Sequence, residues 1–392
     1  MVSLDINVKV IFAAGLFSTF ILGVFEILFP FYLNYRGISL INMGLIISVS
    51  TLAISFFRIF LGEYADVYGR KRIYLASCTL GIFGKGMFPF SVGELGILLN
   101  KFLNDLEDNL RISVHDIMLY ENARKAYTKL FSWFTTSNFV MQAIGNLSFA
   151  ALLIYLGYSG WFFLLAGVEI AKLFIILLYK ESKKEKGYRK MSLREAYSFR
   201  IKRNLMVLSL SSAIGVLGFE IAHGFLLPLY FVGKYGLDTT QIAIITAIHR
   251  LSFLTTPLAD KTIRRLGLRG TYILSTLAYA LAFLAVGLIT FPIVIFVPVF
   301  LIHDLLGGGI GKTATSVIVQ NLVADSQRGR EVNTFNAIQM PMAIMAPSLA
   351  GILAAASWDF IFIAGGLLYL FSLLVFCLFF KENDETASPR SS

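Results

Sequence analysis

The chain has 392 residues, 57% hydrophobic, 14% aromatic and only 15% charged, with a mean hydropathy of +0.73. An average soluble domain is about 25% charged, so this chain lacks the charge to cover a water-exposed surface of its size. That excludes an ordinary soluble enzyme of two or three domains, and the apolar content excludes disorder. The net charge of +10 is what a nucleic-acid binder would carry. Here the positive residues fall in loops between apolar runs, and no nucleic-acid partner is expected.

Twelve apolar segments follow one another near 8–33, 40–62, 72–92, 95–120, 129–155, 159–180, 204–232, 238–258, 271–290, 293–320, 331–356 and 358–381. A spanning helix takes about 20 apolar residues. The runs do not alternate in ten-residue segments as membrane strands do. The expected fold is therefore all-α, a polytopic membrane protein of twelve transmembrane helices. Glycine, proline or charge interrupts several runs, so a hydropathy window alone is expected to miss the fourth and tenth. The first run is too long for a cleavable signal and reads as a span. Cys78 and Cys377 both sit in apolar runs and suggest no disulfide framework.

Positive residues set the orientation. Of the 34 Lys and Arg, 25 fall at the N-terminus, in the loops after even-numbered spans, or in the tail. Arg36 and Lys234 alone fall in the opposite loops, and seven lie inside spans. Positive charge stays cytoplasmic, so both termini are expected on the cytoplasmic side of the cell membrane. The stretch 181–203 holds nine positives and divides six spans from six. The expected organisation is an N-terminal six-helix bundle (1–180), a cytoplasmic linker (181–203) resting on anionic headgroups, a C-terminal six-helix bundle (204–381) and a polar tail (382–392). The halves also look alike: PFYLNYRG at 30–37 compares with PLYFVGKYG at 228–236, GEYADVYGRKR at 62–72 with PLADKTIRRLG at 257–267, and ENARK at 121–125 with DSQRGR at 325–330. Their shared order suggests two repeats, a common transporter plan.

Residues 62–72 carry the most specific motif: Gly62, Asp66, Gly69, then Arg70, Lys71 and Arg72. A positive-inside cluster explains the basic residues but not the acid between two spaced glycines. The pattern and its place after the second of twelve spans resemble the signature loop of the major facilitator superfamily. That resemblance implies a membrane transporter with two six-helix bundles rocking about a central site. It also implies a cytoplasmic gate at this loop, with Asp66 and Arg70 as its latch. Glu121 and Arg124, at the end of the fourth span, are its nearest charge partners in topology. The second copy keeps Asp260 and Arg264 but has Pro257 for the first glycine.

The chain departs from drug exporters of that superfamily. Lys101 and Asn104 stand where those exporters carry Arg and Gly in the fourth helix. The fifth helix reads Ala143-Ile144-Gly145-Asn146, without the antiporters' proline. GGGIGKT at 307–313 looks like a phosphate-binding loop, but three residues rather than four separate Gly307 from Gly311, and the run lies in a hydrophobic span. Close helix packing is the better reading.

Ionisable residues at membrane depth are costly and are expected to face a cavity or a partner. They include Glu26, Arg58, Lys85, Glu169, Lys172, Glu220, His223, His249, Arg250, His303, Asp304 and Lys312. On the fourth span, Lys101, Asn104, Asp105, Asp108, Arg111 and His115 fall within about 120° at helical spacing, with Glu107 off that stripe. The stripe is either a self-neutralising ladder of ion pairs or part of a substrate or proton path. In the superfamily, helices 1, 4, 7 and 10 line the cavity. By that resemblance Glu26, the stripe, Glu220 with His223, and His303 with Asp304 join Arg58 as pathway candidates.

The expected function is secondary active transport of a small polar or charged solute by alternating access, coupled to protons. Glu26, Glu220, Asp304 and His223 are the candidate carriers. An efflux pump for amphipathic compounds is the alternative, favoured by 36 Phe. A divalent-metal carrier comes third: His223, His303, Glu220 and Asp304 suit a transition ion, yet they come from separate spans without metal-ligand spacing, so no metal site is assigned. A transport-dead scaffold should lose the intramembrane charges, and no nucleophile–base spacing points to an enzyme. No cofactor is expected. The partners expected are a small-molecule substrate, protons and the lipid bilayer, with the chain a monomer.

Overall fold

The computed structural model describes residues 5–123, 127–181, 201–323 and 328–381, without the side chains of 57–68, 127–129, 131–132, 328–330 and 333. Every regular element among them is helical. In chain order they are α1 (Ile6–Tyr35), α2 (Leu40–Tyr68), α3 (Arg70–Gly86), α4 (Gly93–Ala123), α5 (Tyr127–Leu177), α6 (Arg203–His223), α7 (Leu227–Tyr235), α8 (Thr239–Ser252), α9 (Ala259–Leu288), α10 (Ile293–Ile302), α11 (Gly309–Leu322), α12 (Arg328–Ala356) and α13 (Trp358–Phe379).

Local chemistry sets the ends. The Asp5 carboxylate caps α1 by accepting from the Asn7 N–H at 3.0 Å. Gly157 inside α5 (φ +57) and Gly267 inside α9 (φ +70) adopt backbone that side chains disfavour. Each of these long elements is thus two helices meeting at a glycine. A π-helical turn, His303–Gly308, joins α10 to α11.

Seven stretches of the described residues are long and apolar enough to cross a membrane. Two of them, Trp133–Leu177 and Thr239–Leu288, have 45 and 50 residues. At about 1.5 Å per residue, each is long enough to cross twice. The element order is consistent with the twelve expected segments. Ile293–Leu322 qualifies by hydropathy, contrary to the expectation for the tenth segment, whereas α4 does not. Its charges dilute its apolar content.

The chain divides into two compact units. The first comprises Met1–Ser39, Ile46–Met191 and Leu237–Arg250, and the second Leu40–Leu45, Ser192–Gly236 and Leu251–Ser392. In the first, α1 packs on α5 and α3 on α4 and α5. One of its apolar cores joins Ile11, Ala14, Tyr74, Cys78, Val114 and Ile176. In the second, α6 packs on α12 and α13, and α9 on α11 and α13. One core there joins Leu205, Leu208, Tyr272, Ile318, Phe335 and Phe376. Large apolar side chains such as Ile154, Leu178, Val294 and Leu378 stay exposed, as lipid-facing residues do.

Candidate functional site

Gly69 of the signature loop sits at φ +92, just before α3. The Arg70 side chain is buried and donates to the Glu121 carboxylate of α4, the partner that topology suggested. Glu181 supplies a contact the motif does not contain. Its carboxylate accepts from the Arg70 N–H at 2.6 Å, on the positive end of α3. The Lys71 ammonium donates to the carbonyls of Leu177 and Tyr179, both at 2.7 Å. These contacts tie the loop to the end of α5. Arg58, Gly62 and Asp66 lie on α2 where side chains are outside the described residues, as is all of Arg124. In the second unit Asp260 and Arg264 pair at 2.6 Å while both remain 69% exposed. Such a surface pair contributes little.

In the first unit, the α4 charges form two groups. Glu107, placed off the stripe by helical spacing, is the most connected. It accepts from Lys85 at 3.2 Å and Lys172 at 3.0 Å, with Arg111 3.5 Å away. Glu169 completes a ring, 2.9 Å from Lys85 and 2.6 Å from Lys172. All four ring members are at most 2% exposed. Arg111 also pairs with Asp108 at 2.6 Å. Nearer the start of α4, Lys101 pairs with Asp105, which accepts from the Ser50 hydroxyl at 2.5 Å. His115 is buried, stacked on Phe134 at 4.8 Å, with the Tyr74 hydroxyl 3.4 Å from its Nδ1.

Glu26 of α1, one of the candidate proton carriers, has a cationic partner. Within the first unit, the Arg250 guanidinium engages both of its oxygens, Nε to Oε2 at 3.0 Å and Nη2 to Oε1. The two side chains are under 20% exposed. Spacing along one helix says nothing of such a partner, because the two residues are 224 positions apart.

In the second unit, Glu220 is half-buried near the end of α6. Among the described residues its carboxylate has no hydrogen bond or ion pair. One turn on, His223 is buried and stacks on Phe219, with ring centres 4.4 Å apart. His303 and Asp304 open the π-helical turn, and both are fully buried. Their Nε2 and Oδ1 atoms lie 3.2 Å apart. The second Asp304 oxygen accepts from the Ser252 hydroxyl at 3.2 Å. The rings of Tyr279, Phe283 and Phe300 surround His303 at 5.4, 4.9 and 4.4 Å. One donor atom each of His223, His303 and Asp304 lie within 4.8 Å of one another. The glycines of 307–311 serve close packing: a Cβ at Gly307 would stand 2.6 Å from the Tyr279 ring, and one at Gly308 2.7 Å from the Phe253 ring.

The fold has solved counterparts at low sequence identity. The chain resembles a point mutant of the nucleoside transporter NupG, with a TM-score of 0.82, 14% identity, and 96% of this chain and 100% of that chain covered. It resembles a bacterial homologue of the iron transporter ferroportin, in an inward-facing state, with a TM-score of 0.77, 16% identity and 96% and 99% covered. A bacterial homologue of the human lysosomal transporter Spinster gives 0.70, 13% identity and 95% and 94% covered. No curated protein matches the sequence significantly. The Major Facilitator Superfamily profile matches residues 11–338 and 253–392. With the signature loop, the helical fold and that match, the chain belongs to the Major Facilitator Superfamily of membrane transport proteins.

Proposed function

We propose that the chain is a secondary active transporter that moves a small polar or charged solute by alternating access, coupled to protons. It would work as a monomer in the cell membrane, with bundles 1–180 and 204–381 joined by the cytoplasmic linker 181–203, both termini cytoplasmic, and the Asp66–Arg70 loop as its cytoplasmic gate. Glu220 carries the reading. It is half-buried on a helix of the membrane region without a cationic partner among the described residues. An ionised carboxylate is costly there, and taking up a proton removes that cost. Glu26 has its charge met by Arg250, so it fits a fixed polar anchor better than a carrier. The proteins of similar fold include a nucleoside transporter, a homologue of an iron transporter and a human organic anion transporter. Nucleosides, iron and organic anions are all polar or charged, which supports the solute class.

The test is Glu220→Gln in membrane vesicles. Gradient-driven accumulation should be lost while counterflow of solute persists, because Gln fixes the neutral form. Full gradient-driven transport by the variant would remove Glu220 from the coupling. Labelling of single cysteines at Lys186 and Ser391 from outside sealed cells would overturn the orientation.

A further inference from the structure

We propose that His223, His303 and Asp304 bind one divalent transition-metal ion, which clamps α6 to the π-helical turn inside the second unit. The donor set is two imidazoles and one carboxylate, chemistry that suits zinc, cobalt, nickel or ferrous iron better than calcium or magnesium. One donor atom of each lies within 4.8 Å of the others. All three side chains are buried. They come from two elements that are 80 residues apart in sequence at their nearest, His223 and His303, so no ligand spacing announces them.

The atoms around the donors are arranged as the groups that orient metal ligands are. The Nδ1 atom of His303 meets the backbone carbonyl of Phe300. A carbonyl can only accept, so Nδ1 carries a proton, and in the neutral ring Nε2 is the atom with a lone pair for a metal. Nε2 faces the Asp304 Oδ1 at 3.2 Å. A lone pair and a carboxylate oxygen at that distance repel unless a positive charge lies with them. Ser252 orients Asp304 by donating to its other oxygen at 3.2 Å. Phe219 packs its ring on His223, and Tyr279, Phe283 and Phe300 pack theirs around His303. The site also occupies a π-helical turn, a local irregularity frequent at functional sites. A protonated His303 ring paired with Asp304 is the competing source of positive charge, and it predicts no metal dependence.

The experiment uses purified full-length protein in detergent, freed of any affinity tag and stripped with chelator, then titrated with Co2+. One equivalent should bind with the visible d–d bands of a nitrogen-ligated, low-coordinate ion, and the melting temperature should rise. His303→Gln and Asp304→Asn should each weaken binding about 100-fold or more, and Ser252→Ala about 10-fold, the size expected of a group that only orients a ligand. Thermal melts of the wild type with and without Co2+ decide the matter even where a variant fails to fold. No stoichiometric binding, a melting temperature indifferent to Co2+, or equal affinity in wild type and folded ligand variants would overturn the site. Metal binding is measured without transport, so this result stands apart from that of the Glu220 test.

Discussion

The two units bury ionisable groups in different ways. In the first, Lys85, Lys172, Glu107 and Glu169 close a ring in which every carboxylate meets two ammonium groups. Arg111 and Asp108 extend it with one charge of each sign, so three cations face three carboxylates. In the second, Asp304 meets a hydroxyl and an imidazole among aromatic rings, and the Glu220 carboxylate meets no cation among the described residues. A neutral, closed ring has no need of a proton or an ion from outside. A carboxylate whose neighbours are neutral groups or a histidine gains from either. That difference is the ground on which the first cluster is proposed as structural and the second as the place for a proton or an ion.

The largest effect should come from opening the ring. Glu107→Gln leaves Lys85, Lys172 and Arg111 facing one carboxylate fewer in a dry interior. Breaking one partner of a buried pair costs about 3–5 kcal/mol, so thermal melts in detergent should fall steeply. Replacing all four members by apolar residues of similar volume removes the desolvation cost along with the attraction. The quadruple variant Lys85→Met, Glu107→Leu, Glu169→Leu and Lys172→Met should therefore melt closer to the wild type than Glu107→Gln does. If Glu107→Gln melts like the wild type, the ring is not structural and the comparison fails.

The sequence revealed the fold because hydrophobic length and loop charge are local properties. The signature loop was legible for the same reason: its spacing is fixed within 62–72, and Glu121 follows it by topology. The ring was only half legible. Lys85, Glu169 and Lys172 stood out as charges in apolar runs, but Glu107 fell outside the stripe because an ideal helical wheel knows one helix and not its neighbours. α3 and the second half of α5 supply Lys85, Glu169 and Lys172, and they face Glu107 rather than the stripe. Arg250 next to Glu26, Ser252 next to Asp304, and Glu181 at α3 depend in the same way on tertiary packing. The convergence of His223 on His303 and Asp304 had no spacing to betray it.

A smaller effect compares the turns that open α3 and the second half of α9. Gly69 (φ +92, ψ 144) and Gly267 (φ +70, ψ 172) both occupy backbone that is close to glycine-only. Alanine at either should cost about 1–3 kcal/mol. Only Gly69 is also crowded: a Cβ there would lie 2.9 Å from the Glu181 Oε2, whereas nothing lies within 4 Å of one at Gly267. The carboxylate is the end of an exposed side chain and can swing away, but only by giving up its bond to the Arg70 N–H. Gly69→Ala should thus melt lower than Gly267→Ala by about 0.5–1 kcal/mol, the net worth of one hydrogen bond. In a double-mutant cycle with Glu181→Ala, that excess should appear as coupling between Gly69 and Glu181. Equal melting of the two alanine variants would mean that the Glu181 contact does not constrain the loop.

The smallest expected change in stability is at Glu220, and it bears most on the contrast. Glu220→Gln is the same substitution as Glu107→Gln, made in the other unit. Glu107 anchors three cations, and its charge is required by them. Glu220 anchors none among the described residues, so removing its charge strands nothing. Gln fills nearly the same volume on a half-buried face, so no cavity opens. The change in stability should stay within about 0.5 kcal/mol, the range of substitutions that disturb no buried network. Melting curves of the two Gln variants, prepared side by side in one detergent, make the measurement. A loss at Glu220 approaching that at Glu107 would show that Glu220 holds a buried partner. The second unit would then be as self-satisfied as the first, and the proton-carrying role would lose its physical ground. A stable variant that fails only in gradient-driven transport would separate the two uses of buried charge within one chain.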